Sequence, residues 1–163
     1  MIDFLKYKRK IIITTLLIIL TLSVAGCNLT KTKLKNPSIS EINEKISQAV
    51  DLSTLKVGNY AKFRKLYAIQ KGDMEDFVLY RAPSNIKADE IVIIKVKASN
   101  QVNNVKEKVL KRVDKQAASF IDYLPDEYFL IEKKVLKVKN NYILLAISKD
   151  AEKIAKEFEE SFK

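Results

Sequence analysis

Cys27 is the single cysteine of the chain, and it closes the run Val24-Ala25-Gly26-Cys27. A thiol directly behind small residues is placed for acylation: it is joined to a diacylglycerol, and the chain is then cut between Gly26 and Cys27. Each buried methylene contributes about 0.8 kcal/mol of membrane affinity, so two or three acyl chains hold a protein firmly. The residues upstream fit this chemistry. Lys6, Lys8, Arg9 and Lys10 make a positive cluster, and Ile11 to Val24 is almost purely apolar. The positive cluster stays cytoplasmic, so the chain beyond it is expected outside. Two rival readings use the same residues. Ile11 to Cys27 is 17 residues, the short limit for an uncleaved span, and an ordinary secretory leader would leave Cys27 a bystander.

Other chemistry is sparse. The chain has no histidine, so the usual proton shuttle is missing. Lipid consumes Cys27, which excludes zinc sites of the His/Cys type. Ser-x-x-Lys occurs at Ser84 to Lys87 and at Ser53 to Lys56, a spacing that places a lysine beside a nucleophilic serine in penicillin-binding proteins. Neither match opens a convincing helix, and no Lys-Thr-Gly follows. Asp73, Glu75 and Asp76 cluster at one turn and Asp122, Asp126 and Glu127 at another. Loop carboxylates can hold calcium, but this spacing is not an EF-hand and solvated turns explain it more simply. No metal and no cofactor beyond the lipid on Cys27 is expected.

The chain has 163 residues, 30 of them Lys or Arg and 20 Asp or Glu. Without the leader's four basic residues and one acidic residue, 26 basic and 19 acidic residues remain. A basic balance usually suggests nucleic acid. Export argues against it and points to anionic headgroups or wall polymers instead. One domain without disulfides is expected, held together by its core alone. The organisation read is a leader over 1–26, a tether over 27–37 ended by Pro37, and a single domain over 38–163.

Elements must position whatever this domain binds. Ser38 and Glu41 fit a capping box before Ile39, Ile42, Ile46 and Val50, which predicts a helix over 39–50. Gly58-Asn59 opens a second helix through Tyr67. Strands are expected at Phe77 to Ala82 and Glu90 to Lys97. Val102, Val105, Val109, Val113, Ala117 and Phe120 predict a long helix over 101–121, capped at Asn100 and stopped by Pro125. Phe129 to Lys139 and Tyr142 to Ser148 read as a second pair of strands, turning at Asn140-Asn141, where asparagine tolerates positive φ. Asp150 caps a last helix over 151–162. The fold class is therefore α+β, in the order α-α-β-β-α-β-β-α after a signal helix. Two hairpins give a four-stranded, mainly antiparallel sheet with helices on one face.

Alternation places Leu136, Val138, Val92, Ile94 and Val96 inward and Ile91, Ile93, Lys95, Lys97, Lys133, Val135, Lys137 and Lys139 outward, where Tyr80 and Tyr142 could join them. Were that face bare, Lys95, Lys97, Lys137, Lys139 and Tyr142 would form a surface for an anionic envelope polymer or an acidic protein partner. Were it covered by helices, the lysines would only decorate a rim. A further stripe, Lys108, Lys111, Arg112 and Lys115, reads as the solvated side of the long helix. Together these features point to a lipid-anchored, extracytoplasmic, non-catalytic binding or assembly module on the outer face of the cytoplasmic membrane. The alternative is an envelope hydrolase using carboxylates and tyrosine.

The chain also resembles a known family. The resemblance is carried by the leader ending at Cys27, by Leu66-Tyr67-Ala68-Ile69, and by Gly72-Asp73-Met74-Glu75-Asp76 before a strand. It continues in Asp89-Glu90-Ile91-Val92-Ile93-Ile94-Lys95, Phe120-Ile121-Asp122-Tyr123-Leu124-Pro125 and Val138-Lys139-Asn140-Asn141-Tyr142-Ile143. These are similar to the lipoprotein family of Clostridia and related Gram-positive bacteria catalogued as domain of unknown function 4358. Asn140 stands where that family tends to have glycine. The resemblance implies an anchored α+β domain and lends no catalytic residues.

Overall fold

The computed structural model describes residues 35–163. Gly26, Cys27, the leader and the tether up to residue 34 lie outside the described residues. Helix α1 (Ile39–Ala49) begins at a formed capping box, with Ser38 accepting from the Glu41 N–H and Glu41 accepting from the Ser38 N–H. Strand β1 (Lys56–Val57) has two residues. Helix α2 (Tyr60–Tyr67) is capped by the Asn59 side chain and ends at Ala68, a non-glycine residue at φ 54°. Gly58 joins β1 to α2 against Leu79, whose Cδ2 lies 2.6 Å from where a Cβ would stand. A side chain there would force the Leu79 side chain to shift.

Strands β2 (Met74–Arg81) and β3 (Glu90–Val96) form the first hairpin. A 3-10 turn at Ser99–Gln101 leads into α3 (Val102–Phe120). Helix α4 (Pro125–Glu132), strands β4 (Val135–Lys139) and β5 (Tyr142–Ile147), and helix α5 (Ala151–Glu160) complete the chain. Asn140 has φ 52° in the β4–β5 turn, as asparagine's tolerance predicts.

The fold is α+β, with a five-stranded antiparallel sheet in the order β1-β2-β3-β5-β4. Four strands were expected. The fifth, β1, is too short to carry a period of two and is recognisable only by pairing Lys56 and Val57 with Arg81 and Tyr80. A second correction concerns residues 129–134, expected as strand. Pro125 does not only follow the long helix; it starts α4, with Asp126 and Glu127 in the first turn. Proline at the first helical position has its φ preset, and acidic residues there meet the positive helix end. These outweigh the β-like run Tyr128 to Ile131.

A third correction is that helices cover both faces. Residues of α2, α3 and α4 pack with Leu79, Val92, Ile94, Val96, Ile143, Leu145 and Ile147. On the opposite face, α1 and α5 pack with Ile91, Ile93, Tyr142, Leu144 and Ala146. β3 is buried along its whole length, with Glu90 at one end and Lys95 at the other. No helix among the described residues is long and apolar enough to cross a membrane.

Candidate functional site

The outward face is not open. Lys95 and Tyr142 sit beneath α1 and α5, 8% and 1% exposed. The cause is a pair of amphipathic helices, one at each end of the domain, that bury Ile39, Ile42, Ile46, Ile154 and Phe158 against this side. An extra residue in β2, between Met74 and Asp76, shifts the register. This residue is Glu75, whose carboxylate accepts from Lys95 Nζ at 2.7 Å. That bond holds the Lys95 ammonium above its usual range. The Tyr142 hydroxyl lies 2.5 Å from the Pro37 carbonyl and 2.6 Å from Asn36 Oδ1, and so ties down the end of the tether. Lys137 pairs with Glu159 at 2.9 Å. Lys97 is exposed and Lys139 partly exposed at the same end of the sheet. The structure therefore brings Lys95 and Tyr142 together, with 5.5 Å from Nζ to the ring centroid, but buries them away from any ligand.

A different set of residues converges at the other end of β3. Arg81 of β2 stands directly opposite Glu90 of β3 in the ladder, so both side chains leave the sheet on its α2–α3 face. Glu90 is 1% exposed. Arg112 of α3 donates to it through Nε at 3.1 Å and Nη2 at 2.7 Å, and the Tyr67 hydroxyl of α2 donates at 2.5 Å. Burial and then the Glu90 charge hold the Tyr67 hydroxyl well above its ordinary pKa. Burial strips solvent from the Arg112 guanidinium, but Glu90 outweighs that loss and raises its pKa.

Glu90 and Arg112 form one wall of an open cleft of about 290 Å³ between α2, α3 and the β2–β3 loop, with Tyr67 buried behind Glu90. Lys62, Arg81, Lys87 and Arg112 line it, with Ser84, Asn85, Asp89 and Gln116. Lys62 is held below the usual ammonium range, first by the charge of Arg81, then by burial and by Lys65 and Arg112. Cations crowded this way make a positive potential that favours an anion. Lys87 donates to Glu127 at 2.5 Å, and Glu127 also accepts the Ala88 N–H at 2.7 Å. Burial, followed by the neighbouring Glu127 charge, raises the Asp89 carboxyl above its usual range. Gln116 donates to the Ala88 carbonyl at 2.8 Å, while its Oε1 is buried without a donor.

Ser84 and Lys87 of the Ser-x-x-Lys match both line the cleft, but Ser84 Oγ accepts the Ile86 N–H and Lys87 turns to Glu127. The clustered carboxylates go to separate partners. Asp73 accepts from Lys108, Glu75 from Lys95, and Asp76 from the Phe77 N–H. Among the described residues no three metal-ligating side chains converge.

Sequence reasoning passed over this cleft. Arg112 was placed in a solvated stripe with Lys108, Lys111 and Lys115. Lys111 and Lys115 are exposed, but Arg112 is half-buried. The available signal was its position beside Val109, Val113 and Gln116 on the helix, at the edge of the buried stripe. A second signal was an acid, Glu90, opening an otherwise apolar strand.

A family model described as a domain of unknown function (DUF4358) matches residues 48–148. Comparisons with curated proteins and with solved structures give no match. The matched span contains the whole sheet and every residue lining the cleft, and this chain belongs to the family of domain of unknown function 4358.

Proposed function

We propose that the protein is a membrane-anchored extracytoplasmic lipoprotein, linked to lipid at Cys27, whose domain is a non-catalytic module that binds an anion in the basic cleft. The carrying observation is the convergence of Lys62 of α2, Arg81 of β2, Lys87 of the β2–β3 loop and Arg112 of α3 on one cleft that also holds the braced Glu90 carboxylate. Glu90 braces Arg112 and is itself braced by Tyr67, so the site's geometry is set before any ligand arrives. Lys97, Lys137 and Lys139 offer a second basic surface at the opposite end of the sheet, without Lys95 or Tyr142.

The test uses the full chain in non-ionic detergent, with a purified anionic envelope polymer at low salt. Lys62→Glu with Arg81→Glu should abolish binding, and Lys97→Glu with Lys139→Glu should leave most of it. Equal binding by the cleft variant and the parent would overturn the cleft reading. Loss in the second variant alone would return the site to the sheet's other end. Anchoring is checked separately: the intact mass should begin at Cys27 and carry acyl groups.

One observation favours the alternative of an envelope hydrolase. Asp89, half-buried with a raised pKa, sits in the cleft near a second carboxylate, Glu127, as a general acid would. Asp89→Asn would then remove hydrolysis and spare binding.

A further inference from the structure

Resting on the binding reading above, we infer that the anion held in this cleft is a phosphate ester, gripped by Arg81, Lys62 and the free N–H groups of Arg112. The charges already committed narrow the choice. Arg112 places Nε and Nη2 on Glu90, and Lys87 is held by Glu127. Arg81 spends one N–H, from Nη1, on the Ala82 carbonyl. Among the described residues, neither Lys62 nor Arg81 has an ion-pair partner. Two unneutralised cations thus stand together, opposed in the cleft by Asp89.

Their directions narrow it further. Lys62 comes from α2, Arg81 from β2, Ser84 and Asn85 from the β2–β3 loop, and Arg112 from α3. Ser84 Oγ accepts the Ile86 N–H and keeps its own proton to donate. A planar carboxylate is satisfied by one guanidinium fork. A phosphoryl group offers acceptor oxygens in tetrahedral directions and more charge, which suits donors arriving from several elements.

The cleft and the point where the chain enters the domain lie at opposite ends of β3. The chain enters the domain at Asn36 and Pro37, bound by Tyr142 next to Lys95. The cleft lies at Glu90, the other end of β3, roughly 3.3 Å per residue away along the strand.

The test is calorimetric titration of the full chain in non-ionic detergent at low salt, with three probes. Glycerol phosphate is the soluble ester, dihexanoyl phosphatidic acid carries the same phosphomonoester as a headgroup, and glutarate is a carboxylate control. The variant is Lys62→Gln with Arg81→Gln, neither of which strands a buried charge, so the fold is expected to stay intact. Glycerol phosphate should bind the parent, with glutarate weaker by about tenfold or more and the variant weaker by on the order of tenfold to a hundredfold. A preference for the lipid probe keeps the phosphoryl group and moves its source to the membrane. If glutarate binds as tightly as glycerol phosphate, the phosphoryl inference fails while anion binding stands. No binding of any probe or of the envelope polymer removes both. Undiminished phosphate binding by the folded variant also overturns the inference.

Discussion

The two ends of β3 each bury an ion, and they bury it differently. Glu90 meets Arg112, whose side chain is 17% exposed, and Tyr67, which is fully covered. Lys95 meets Glu75, whose side chain is 54% exposed. In the first pair Glu90 keeps its burial when Arg112 goes. The second leaves a carboxylate that simply turns to solvent. Burial of an ion is thus a poor guide to its importance; the exposure of its partner decides. Arg112→Met should destabilise the fold by about 3–5 kcal/mol, because Glu90 is left charged and unpaired. Adding Glu90→Gln should recover much of that loss. Urea denaturation of the three chains measures both. A loss under about 1 kcal/mol in the single variant would mean that Glu90 is hydrated through the cleft, and the contrast would collapse.

Tyrosine sharpens the same comparison, since each end has one. Tyr67→Phe removes a hydrogen bond to a charged group and should cost about 1.5–3 kcal/mol. Tyr142→Phe removes one to a neutral carbonyl at the tether and should cost about 1 kcal/mol. Alkali separates the two further. Both hydroxyls are raised by burial; at Tyr67 the Glu90 charge adds to the rise, whereas at Tyr142 Lys95 opposes it. Above about pH 10 the unfolded chain has released these protons and the folded chain has kept them. The unfolded state then binds fewer protons, so stability falls as pH rises. Tyr67→Phe should flatten that fall more than Tyr142→Phe does, as thermal melts at pH 9 to 11 would show. Equal flattening would mean that Glu90 adds nothing.

How far these ends could be read in advance follows from where their signals lie. Local signals were readable: the Ser38–Glu41 box forms, Asn140 takes positive φ, and the valine stripe of α3 is buried from Val102 to Val113. Alternation also assigned the two faces of β3 correctly, with Ile91 and Ile93 opposite Val92 and Ile94, whereas Val138, read as inward, is 42% exposed on the edge strand β4. It could not say what covers each face, because that depends on where α1 and α5 return. β1 was hidden because two residues carry no period, and α4 because its apolar run imitates a strand until Pro125 is read as a beginning. The cleft was hidden for a third reason. Lys62, Arg81 and Arg112 meet only through the β2–β3 register and the packing of α2 and α3 on it, so no spacing along the chain announces them.

The smallest expected effect is the most discriminating. Lys95 looks important by burial: it is 8% exposed, its pKa is raised first by the bond it donates to Glu75, and it lies against the Tyr142 ring. Lys95→Met keeps an unbranched chain of similar length, so the apolar contacts of its stem under α1 and α5 are largely retained. The lost ion pair has a half-exposed partner, and such pairs contribute about 0–1 kcal/mol. Glu75 sits on the bulge of β2 and needs no second partner once it faces water. The cation–π contact contributes up to about 2 kcal/mol where the ammonium is desolvated, as that of Lys95 is. Against these losses, the variant no longer desolvates an ammonium. Lys95→Met should therefore lie within about 1 kcal/mol of the parent in urea denaturation, several-fold less than Arg112→Met. A cost as large as that of Arg112→Met would show that Glu75 is held in place and cannot reach solvent. Lys95 would then be the brace of the tether end through Tyr142, and the two ends of the strand would be built alike.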